Sequence, residues 1–256
     1  MEIGNRLQIA RKALGYTLER VAAETGMSQS SLSDFENGKR EPRFSQLSKL
    51  AALYRRTIEF FLSDKPFLQT VLLWRDGPAT NEQKKEAEAH FCQLCEQYHR
   101  LEILLGEKKV DSLPTCEWPS DSFGFAEANT LAEKFQREHL LGDVPSASLK
   151  QMLEERLYVK VFHLEFAGSA ISTRSAEFGP AILLNSTSKL WRRNYDLAHE
   201  LFHLLTWSAF RSQDSENQEP GDREEKLANA FASRLLLPTD AVKNRIERVA
   251  DRDGQR

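Results

Sequence analysis

The residues best suited to chemistry lie in one stretch, RRNYDLAHELFHLLTW, at positions 192–207. Within it, His199, Glu200 and His203 form the pattern H-E-x-x-H. On a helix with about 3.6 residues per turn, side chains four positions apart point the same way, so both imidazoles could bind one metal ion. The glutamate between them would then be placed to act on a water molecule at that metal. The spacing predicts a zinc hydrolase centre; a helix with two unrelated histidines is the alternative.

A zinc site of this kind needs at least three protein ligands, and the motif supplies only two. The segment EEKLANAFASRLLLP predicts a second helix that stops at Pro238 and carries two glutamates in its first turn. We expect Glu225 to be the third ligand, because small residues follow it along one stripe and would let the helices approach closely. Glu224 aligns with bulkier side chains and remains the alternative ligand. Both could instead be ordinary acids that complement the helix dipole.

The elements predicted around these two helices form an α+β domain over residues 125–256. Two helices are predicted before residue 157, and three short strands between residues 157 and 185. The first of them, LYVKVFHLEF, alternates Leu, Val and Val with Tyr, Lys and Phe, as a strand with one covered face does. The three strands do not alternate with helices as in a βαβ fold, so we expect a small sheet. A peptide substrate is expected to pair with a sheet edge near residues 181–185.

Residues 1–65 predict a separate helical unit with a helix-turn-helix. Gly26 separates two short helices, and Thr17 and Ser28 are candidate N-caps for them. Short polar side chains at the start of the second helix suit base edges and phosphates in a DNA major groove, and the basic loop after it suits phosphate. The predicted DNA-contacting residues are Thr17, Ser28, Gln29, Ser30, Ser33, Asp34, Asn37, Lys39 and Arg40. A small bundle used for protein contact is the alternative.

Composition narrows the classes of protein. The 256 residues, 40% hydrophobic and 29% charged, are typical of about two folded domains. There is no secretory signal and no apolar run long enough to cross a bilayer, and three cysteines fit a reducing compartment, so we expect a cytoplasmic protein without a membrane partner. Residues 1–65 carry 11 Lys and Arg against 8 Asp and Glu, whereas the remainder is acidic. This asymmetry favours nucleic acid at one end only.

Residues 66–124 predict a helical connector followed by a linker. The segment NEQKKEAEAHFCQLCEQYHRLEILLGEKK predicts one long amphipathic helix, which is also a candidate contact for a homodimer. Cys92 and Cys95 lie on it with His99 one turn later, which could indicate a metal or redox site. No second pair of ligands accompanies them, so we interpret both cysteines as buried apolar residues.

Two family resemblances follow from these motifs. The segment TLERVAAETGMSQSSLSDFENGKREP resembles the helix-turn-helix of the XRE family, and the match extends over nearly all of residues 3–64. The segments RRNYDLAHELFHLL and EEKLANAFASRLLLP together resemble the ImmA/IrrE metallopeptidase family over residues 125–240. Two positions depart from that family: Tyr195-Asp196 stands where many relatives carry Phe-Thr, and Leu227 stands where a second acid often lies.

The resemblances imply a DNA-binding regulator that binds a double-stranded operator and carries a zincin-like endopeptidase. Zn²⁺ would be held by His199, His203 and Glu225, with Glu200 as the catalytic residue. The implied protein substrate is a cognate helix-turn-helix repressor in a stress or mobile-element response. The competing hypothesis is a regulator whose zincin-like half senses a ligand or partner without turnover. A third is the regulatory half of a toxin–antitoxin pair.

Overall fold

The computed structural model describes residues 3–63, 70–75, 80–107, 111–116, 122–211 and 219–253, the last of them with side chains to residue 247. The chain divides into two compact units, which are described separately below. Unit 1 comprises Met1–Thr70 and Pro78–Lys108, and unit 2 comprises Val71–Gly77 and Lys109–Arg256. The fold class agrees with the prediction, because a helical helix-turn-helix region precedes an α+β domain with a small mixed sheet.

Unit 1 contains helices only in its described part: α1 (Ile3–Ala13), α2 (Leu18–Thr25), α3 (Gln29–Glu36), α4 (Phe44–Leu53), α5 (Ile58–Leu62) and α6 (Asn81–Leu104). The predicted caps are present. The Thr17 hydroxyl accepts from the backbone N–H of Arg20, and the Ser28 hydroxyl accepts from that of Ser31. Gly26 ends α2 in the left-handed conformation, with φ of 71°, which glycine adopts without strain. These local signals set α3 off from α2 as a separate helix.

The helices of unit 1 close over one apolar core. Its fully buried members include Leu7, Val21, Phe35, Leu50 and Phe61, each 1% exposed or less. Arg11 forms a bidentate ion pair with Glu36 beside this core: its Nε and Nη2 donate to the Glu36 carboxylate at 2.6 and 2.8 Å. This core holds α3 on α1 and α2 and leaves the polar side of α3 exposed.

Gly4 marks the closest approach of α1 to the end of α3. A Cβ atom at this position would lie 2.4 Å from the Phe35 carbonyl oxygen and 2.8 Å from that of Glu36. Gly4→Ala is therefore expected to destabilise unit 1 by about 1–3 kcal/mol, because backbone must shift to admit the methyl group. Urea unfolding of the full chain measures this. Gly221→Ala is the control, since a Cβ there meets nothing within 4 Å; equal effects would contradict the prediction.

Unit 2 combines four strands with six helices in its described part. The strands are β1 (Leu73–Arg75), β2 (Lys160–Leu164), β3 (Ala170–Ser175) and β4 (Gly179–Asn185). The helices are α7 (Phe125–Glu138), α8 (Pro145–Arg156), α9 (Leu190–Leu205), α10 (Trp207–Phe210), α11 (Asp222–Leu236) and α12 (Thr239–Asp253). Helix α9 packs against β3 and β4 and against α11, and α11 packs against α7. Leu201, Phe202 and Leu204 of α9 are fully buried, as expected for a helix that is apolar on several faces.

The strand order is β1-β3-β4-β2, with β2 and β4 parallel and the other neighbours antiparallel. The expectation that a peptide pairs near residues 181–185 is therefore wrong. Strand β4 lies between β3 and β2, so its backbone groups on both sides already form sheet hydrogen bonds. An added strand would have to pair with an outer strand of the described sheet, β1 or β2.

Strand β1 lies within the segment predicted as a connector. It pairs with β3 in antiparallel register, Leu73 opposite Ser172 and Arg75 opposite Ala170. The residues predicted as a connector thus contribute a strand to unit 2 and helix α6 to unit 1. Sequence alternation did not reveal β1, because three residues are too few to establish a period. No described helix is both long enough and apolar enough to cross a membrane.

Candidate functional site

Helices α9 and α11 bring the three predicted ligands together. His199 and His203 lie one turn apart on α9, and their Nε2 atoms are 3.2 Å apart. The Glu225 carboxylate on α11 lies 3.3 Å from Nε2 of His199 and 3.2 Å from Nε2 of His203. Among the described residues, these three form the only group whose His, Cys or carboxylate donor atoms could together hold a metal ion.

The spacing of these donor atoms fits a zinc ion. Two atoms bound at 2.0–2.1 Å to one tetrahedral ion lie about 3.3 Å apart, which is close to the nitrogen–nitrogen and nitrogen–oxygen separations here. The side chains of His199 and His203 are 0% and 2% exposed, whereas that of Glu225 is 32% exposed. Solvent therefore reaches the cluster from the Glu225 side.

Glu224 has a different position from Glu225 although the two are adjacent. Its Oε1 accepts from Nδ1 of His203 at 2.7 Å, on the ring side opposite the cluster. Arg211 clamps the same carboxylate, donating from Nη1 and Nη2 at 2.8 and 2.7 Å. A carboxylate in this place fixes the ring and leaves the Nε2 lone pair for a metal. Glu224 thus orients a histidine, and its geometry does not suit a direct ligand.

His199 is held by an amide instead of a carboxylate. Its Nδ1 lies 3.1 Å from Oδ1 of Asn229, which is one turn after Glu225 on α11. The Tyr195 hydroxyl donates to the same oxygen at 3.1 Å. Tyr195, one of the positions where the sequence departs from the family pattern, thus has Asn229 as its hydrogen-bond partner. The role of Asn229 was missed, although an amide within a stripe of alanines was the available signal.

Glu200 is buried beside the cluster, with 1% of its surface exposed. Its Oε2 accepts from the Ser172 hydroxyl at 2.6 Å, which ties it to β3. No described hydrogen-bond donor reaches Oε1. An unsatisfied buried carboxylate oxygen is costly, so this atom is suited to a water molecule or a substrate group. Ser172 was not predicted from the sequence.

The pKa values of Glu200 and of the two histidines shift in different directions. Burial raises the pKa of Glu200, partly opposed by His203 and by the Ser172 hydrogen bond. Burial lowers the pKa of His199. Burial also acts to lower the pKa of His203, but hydrogen bonds to Glu224 and Glu225 outweigh it and raise that pKa. A glutamate whose pKa is raised from its usual value accepts and returns a proton more readily near neutral pH.

A buried arginine contacts Asp196 and Asn229 beside the three predicted ligands. Arg75 of β1 is 8% exposed, and its guanidinium lies 3.3 Å from the Asp196 carboxylate and 3.2 Å from Oδ1 of Asn229. Asp196 is fully buried and also pairs with Arg192 at 3.1 Å. Asp196, where the sequence departs from the family pattern, is thus paired with two arginines. Arg75 was missed, because nothing in its short segment indicates a partner so distant in sequence.

The predicted DNA-contacting residues occupy the exposed side of unit 1. Thr17, Ser28, Gln29, Ser30, Asn37, Lys39 and Arg40 are exposed, and Ser33 and Asp34 are half-buried. Ser28 and Asn37 also make contacts within unit 1. The Ser28 hydroxyl caps α3, and Asn37 Nδ2 donates to the Ser33 carbonyl at 2.8 Å. Most of these side chains, at the start of α3 and in the loop after it, are therefore accessible.

The cysteines of α6 do not form a second site. Cys92 and Cys95 are 5% and 0% exposed. Burial raises the pKa of Cys92 to about 11, so its thiol stays protonated near neutral pH and is a poor metal ligand. This agrees with their interpretation as apolar core residues.

Each of the two units contains a match to the model of a known protein family. Residues 7–61 match the family model described as Helix-turn-helix, and residues 154–252 match the peptidase M78 model described as IrrE N-terminal-like domain. No curated protein matches the sequence. The second match includes the H-E-x-x-H helix and α11, and it does not include β1. The chain is a fusion of an XRE-type helix-turn-helix domain with a domain of the ImmA/IrrE peptidase family.

Proposed function

We propose that this chain is a DNA-binding regulator whose unit 2 hydrolyses peptide bonds at a zinc centre held by His199, His203 and Glu225. The observation that carries the proposal is the cluster itself: two Nε2 atoms and one carboxylate at separations of 3.2–3.3 Å. The peptidase-family match over residues 154–252 supports the same reaction class. When bound, zinc would supply Lewis acidity, polarising a peptide carbonyl and acidifying a water molecule.

Glu200 is proposed as the general base and then the general acid. Ser172 holds one carboxylate oxygen, which leaves Oε1 to accept a proton from the attacking water. The same atom would return the proton to the leaving amine as the peptide bond breaks. Its burial strengthens each of these interactions, because the surrounding dielectric is low. Glu200 is therefore a proton carrier and not a ligand.

The two histidines and Glu225 have the complementary role of holding the metal. Glu224 and Asn229 accept from the Nδ1 atoms, so both Nε2 lone pairs face the same point. The exposed side of Glu225 leaves an approach for a polypeptide. The proposed substrate is a helix-turn-helix repressor whose cleavage would release the genes that it controls, in a stress or mobile-element response.

One experiment separates a peptidase from a binding regulator without turnover. The zinc-loaded full chain is incubated with purified repressors encoded by its neighbouring genes, and fragments are mapped by mass spectrometry. A single cleaved repressor, protected when zinc is removed with a chelator, is the expected result. Stoichiometric zinc with every repressor intact would contradict the peptidase proposal and favour a sensor.

Unit 1 is proposed to bind a double-stranded operator through α3. Gln29 and Ser30 are exposed at its N-terminal end, where a recognition helix contacts base edges. Lys39 and Arg40 follow in the loop and would contact phosphates. The DNA-contacting residues predicted from the sequence remain the proposed contact set.

Alanine variants should distinguish the two kinds of DNA contact. Gln29→Ala is expected to weaken binding by about 1–3 kcal/mol and to relax the base preference at one position, whereas Lys39→Ala should lower the salt slope by about 1. Fluorescence anisotropy with an operator selected from random DNA measures both. Lys12→Ala removes an exposed charge from α1 and serves as the control. If Lys12→Ala and Lys39→Ala behave alike, the proposed surface is incorrect.

A further inference from the structure

We propose that Arg75 determines which ring nitrogen of His199 carries the hydrogen, by fixing the direction of the Asn229 side chain. Arg75 would then be a positioning residue for the metal centre, acting through Asn229. The inference rests on the proposed zinc site for its consequence, but it concerns the metal-free protein as well. It also assigns a role in unit 2 to a strand outside the family match.

The strand register explains why Arg75 reaches the site. Opposed residues of an antiparallel pair lie on the same face of a sheet, and side chains two apart share that face. Leu73 is opposite Ser172, whose hydroxyl contacts Glu200 on α9, so Leu73 and Arg75 face α9. Trp74 lies on the other face and packs edge-on against Phe166, with ring centroids 5.8 Å apart.

The guanidinium is held on three sides. It pairs with the buried Asp196 at 3.3 Å, lies over the Tyr195 ring at 5.0 Å, and donates from Nη2 to Asn229 Oδ1 at 3.2 Å. Because Asp196 compensates the charge, the arginine can remain buried without a free cation. The direction of its remaining N–H group is thereby fixed toward Asn229.

The chemistry of the donors then settles the tautomer. Arginine can only donate, so the end of the Asn229 amide that faces it must be the oxygen. The same oxygen lies 3.1 Å from Nδ1 of His199, and an oxygen without hydrogen requires that Nδ1 be the donor. Nε2 of His199, which lies 3.3 Å from the Glu225 carboxylate, is then the nitrogen whose lone pair would be available to a metal. The Tyr195 hydroxyl cannot enforce this alone, since it both donates and accepts.

Comparison with His203 shows why the residue that orients His199 needs an arginine beside it. His203 is oriented by Glu224, which is itself clamped by Arg211. Both ends of a carboxylate accept, so any rotation of Glu224 still selects the Nδ1–H form. An amide has one accepting and one donating end, and its rotation by half a turn would select the wrong form. Asn229 therefore needs a donor-only neighbour, and Arg75 is that neighbour.

The test compares the full-length chain with its Arg75→Met variant. In the metal-free protein, two-bond ¹H–¹⁵N correlation spectra assign the hydrogen of His199; we expect Nδ1–H in the native chain and a mixture in the variant. Zinc affinity, measured by competition with a chromophoric chelator, is expected to fall by about 10–100-fold, the range for partners of metal-ligating histidines. An unchanged tautomer in Arg75→Met would overturn the inference.

Rescue distinguishes positioning from simple stabilisation. Asn229→Asp places an acceptor at both ends of the side chain, so Arg75→Met/Asn229→Asp should regain the Nδ1–H form and most of the zinc affinity. Failure of the rescue counts against the inference. Arg192→Gln is the control, because it removes a cation from Asp196 without touching Asn229 and should leave the tautomer unchanged.

Two further outcomes are informative. If Arg75→Met alone does not fold, Arg75→Met/Asp196→Asn also removes the buried carboxylate that has lost one of its two arginine partners, and the same spectra decide the question. If the native chain binds no zinc, the proposed metal centre fails, while the tautomer measured without metal still tests the role of Arg75. The two proposals can thus fail separately.

Discussion

Glu200→Gln should abolish peptide cleavage while leaving zinc bound. The substitution preserves shape and the hydrogen bond that Ser172 donates, but an amide cannot take a proton from water. General acid–base groups of this kind contribute about 10²–10⁴-fold, so we expect a loss of that size in kcat. The measurement is cleavage of the identified repressor by each zinc-loaded protein, with bound zinc quantified in parallel.

Glu177→Gln supplies the matched control for this loss. It makes the same chemical change at an exposed glutamate in the turn between β3 and β4, and its activity should equal that of the native chain. Cleavage by Glu200→Gln at the native rate would exclude Glu200 as the proton carrier. Loss of zinc together with activity would instead assign Glu200 to metal retention.

The second large effect distinguishes two neighbouring glutamates. Glu225→Gln should reduce zinc affinity by more than about 100-fold, because it removes a charged donor atom from the cluster. Glu224→Gln should cost less, about 10–100-fold, because the amide oxygen can still accept from His203. Competition with a chromophoric chelator gives both values on otherwise identical full-length chains.

Asp222→Asn tests the alternative hypothesis that Glu224 and Glu225 only complement the helix dipole. Asp222 is an exposed acid in the same first turn of α11. If favourable interaction with the helix dipole were the whole role of these residues, all three variants would change helix stability alike and none would change zinc affinity. A larger effect at position 224 than at position 225 would reverse the proposed ligand assignment.

Much of the centre could be predicted because it depends on periodicity within single helices. The four-residue spacing of His199 and His203 determines that their side chains share one face of α9. The stripe of small residues after Glu225 predicted a close helix pair, and α9 and α11 are in contact. These features require no knowledge of distant parts of the chain.

The parts that were missed all depend on pairing between distant segments. Arg75 lies 154 positions from Asn229, and neither residue type indicates the other. Ser172 reaches Glu200 only because of the register of β3 under α9. The position of β4 inside the sheet is a property of strand order, which strand sequences do not encode individually. Periodicity therefore predicted ligands, while topology determined their neighbours.

The placement of β1 constrains how such a protein could exchange parts during evolution. The chain runs from unit 1 into β1, returns to unit 1 for α6, and then enters the rest of unit 2, so it passes between the units three times. A single recombination point at any position would separate one unit from a piece of itself. Replacing unit 1 with one of different DNA specificity would therefore require three junctions, one on each side of the segment that carries β1 and one after the segment that carries α6.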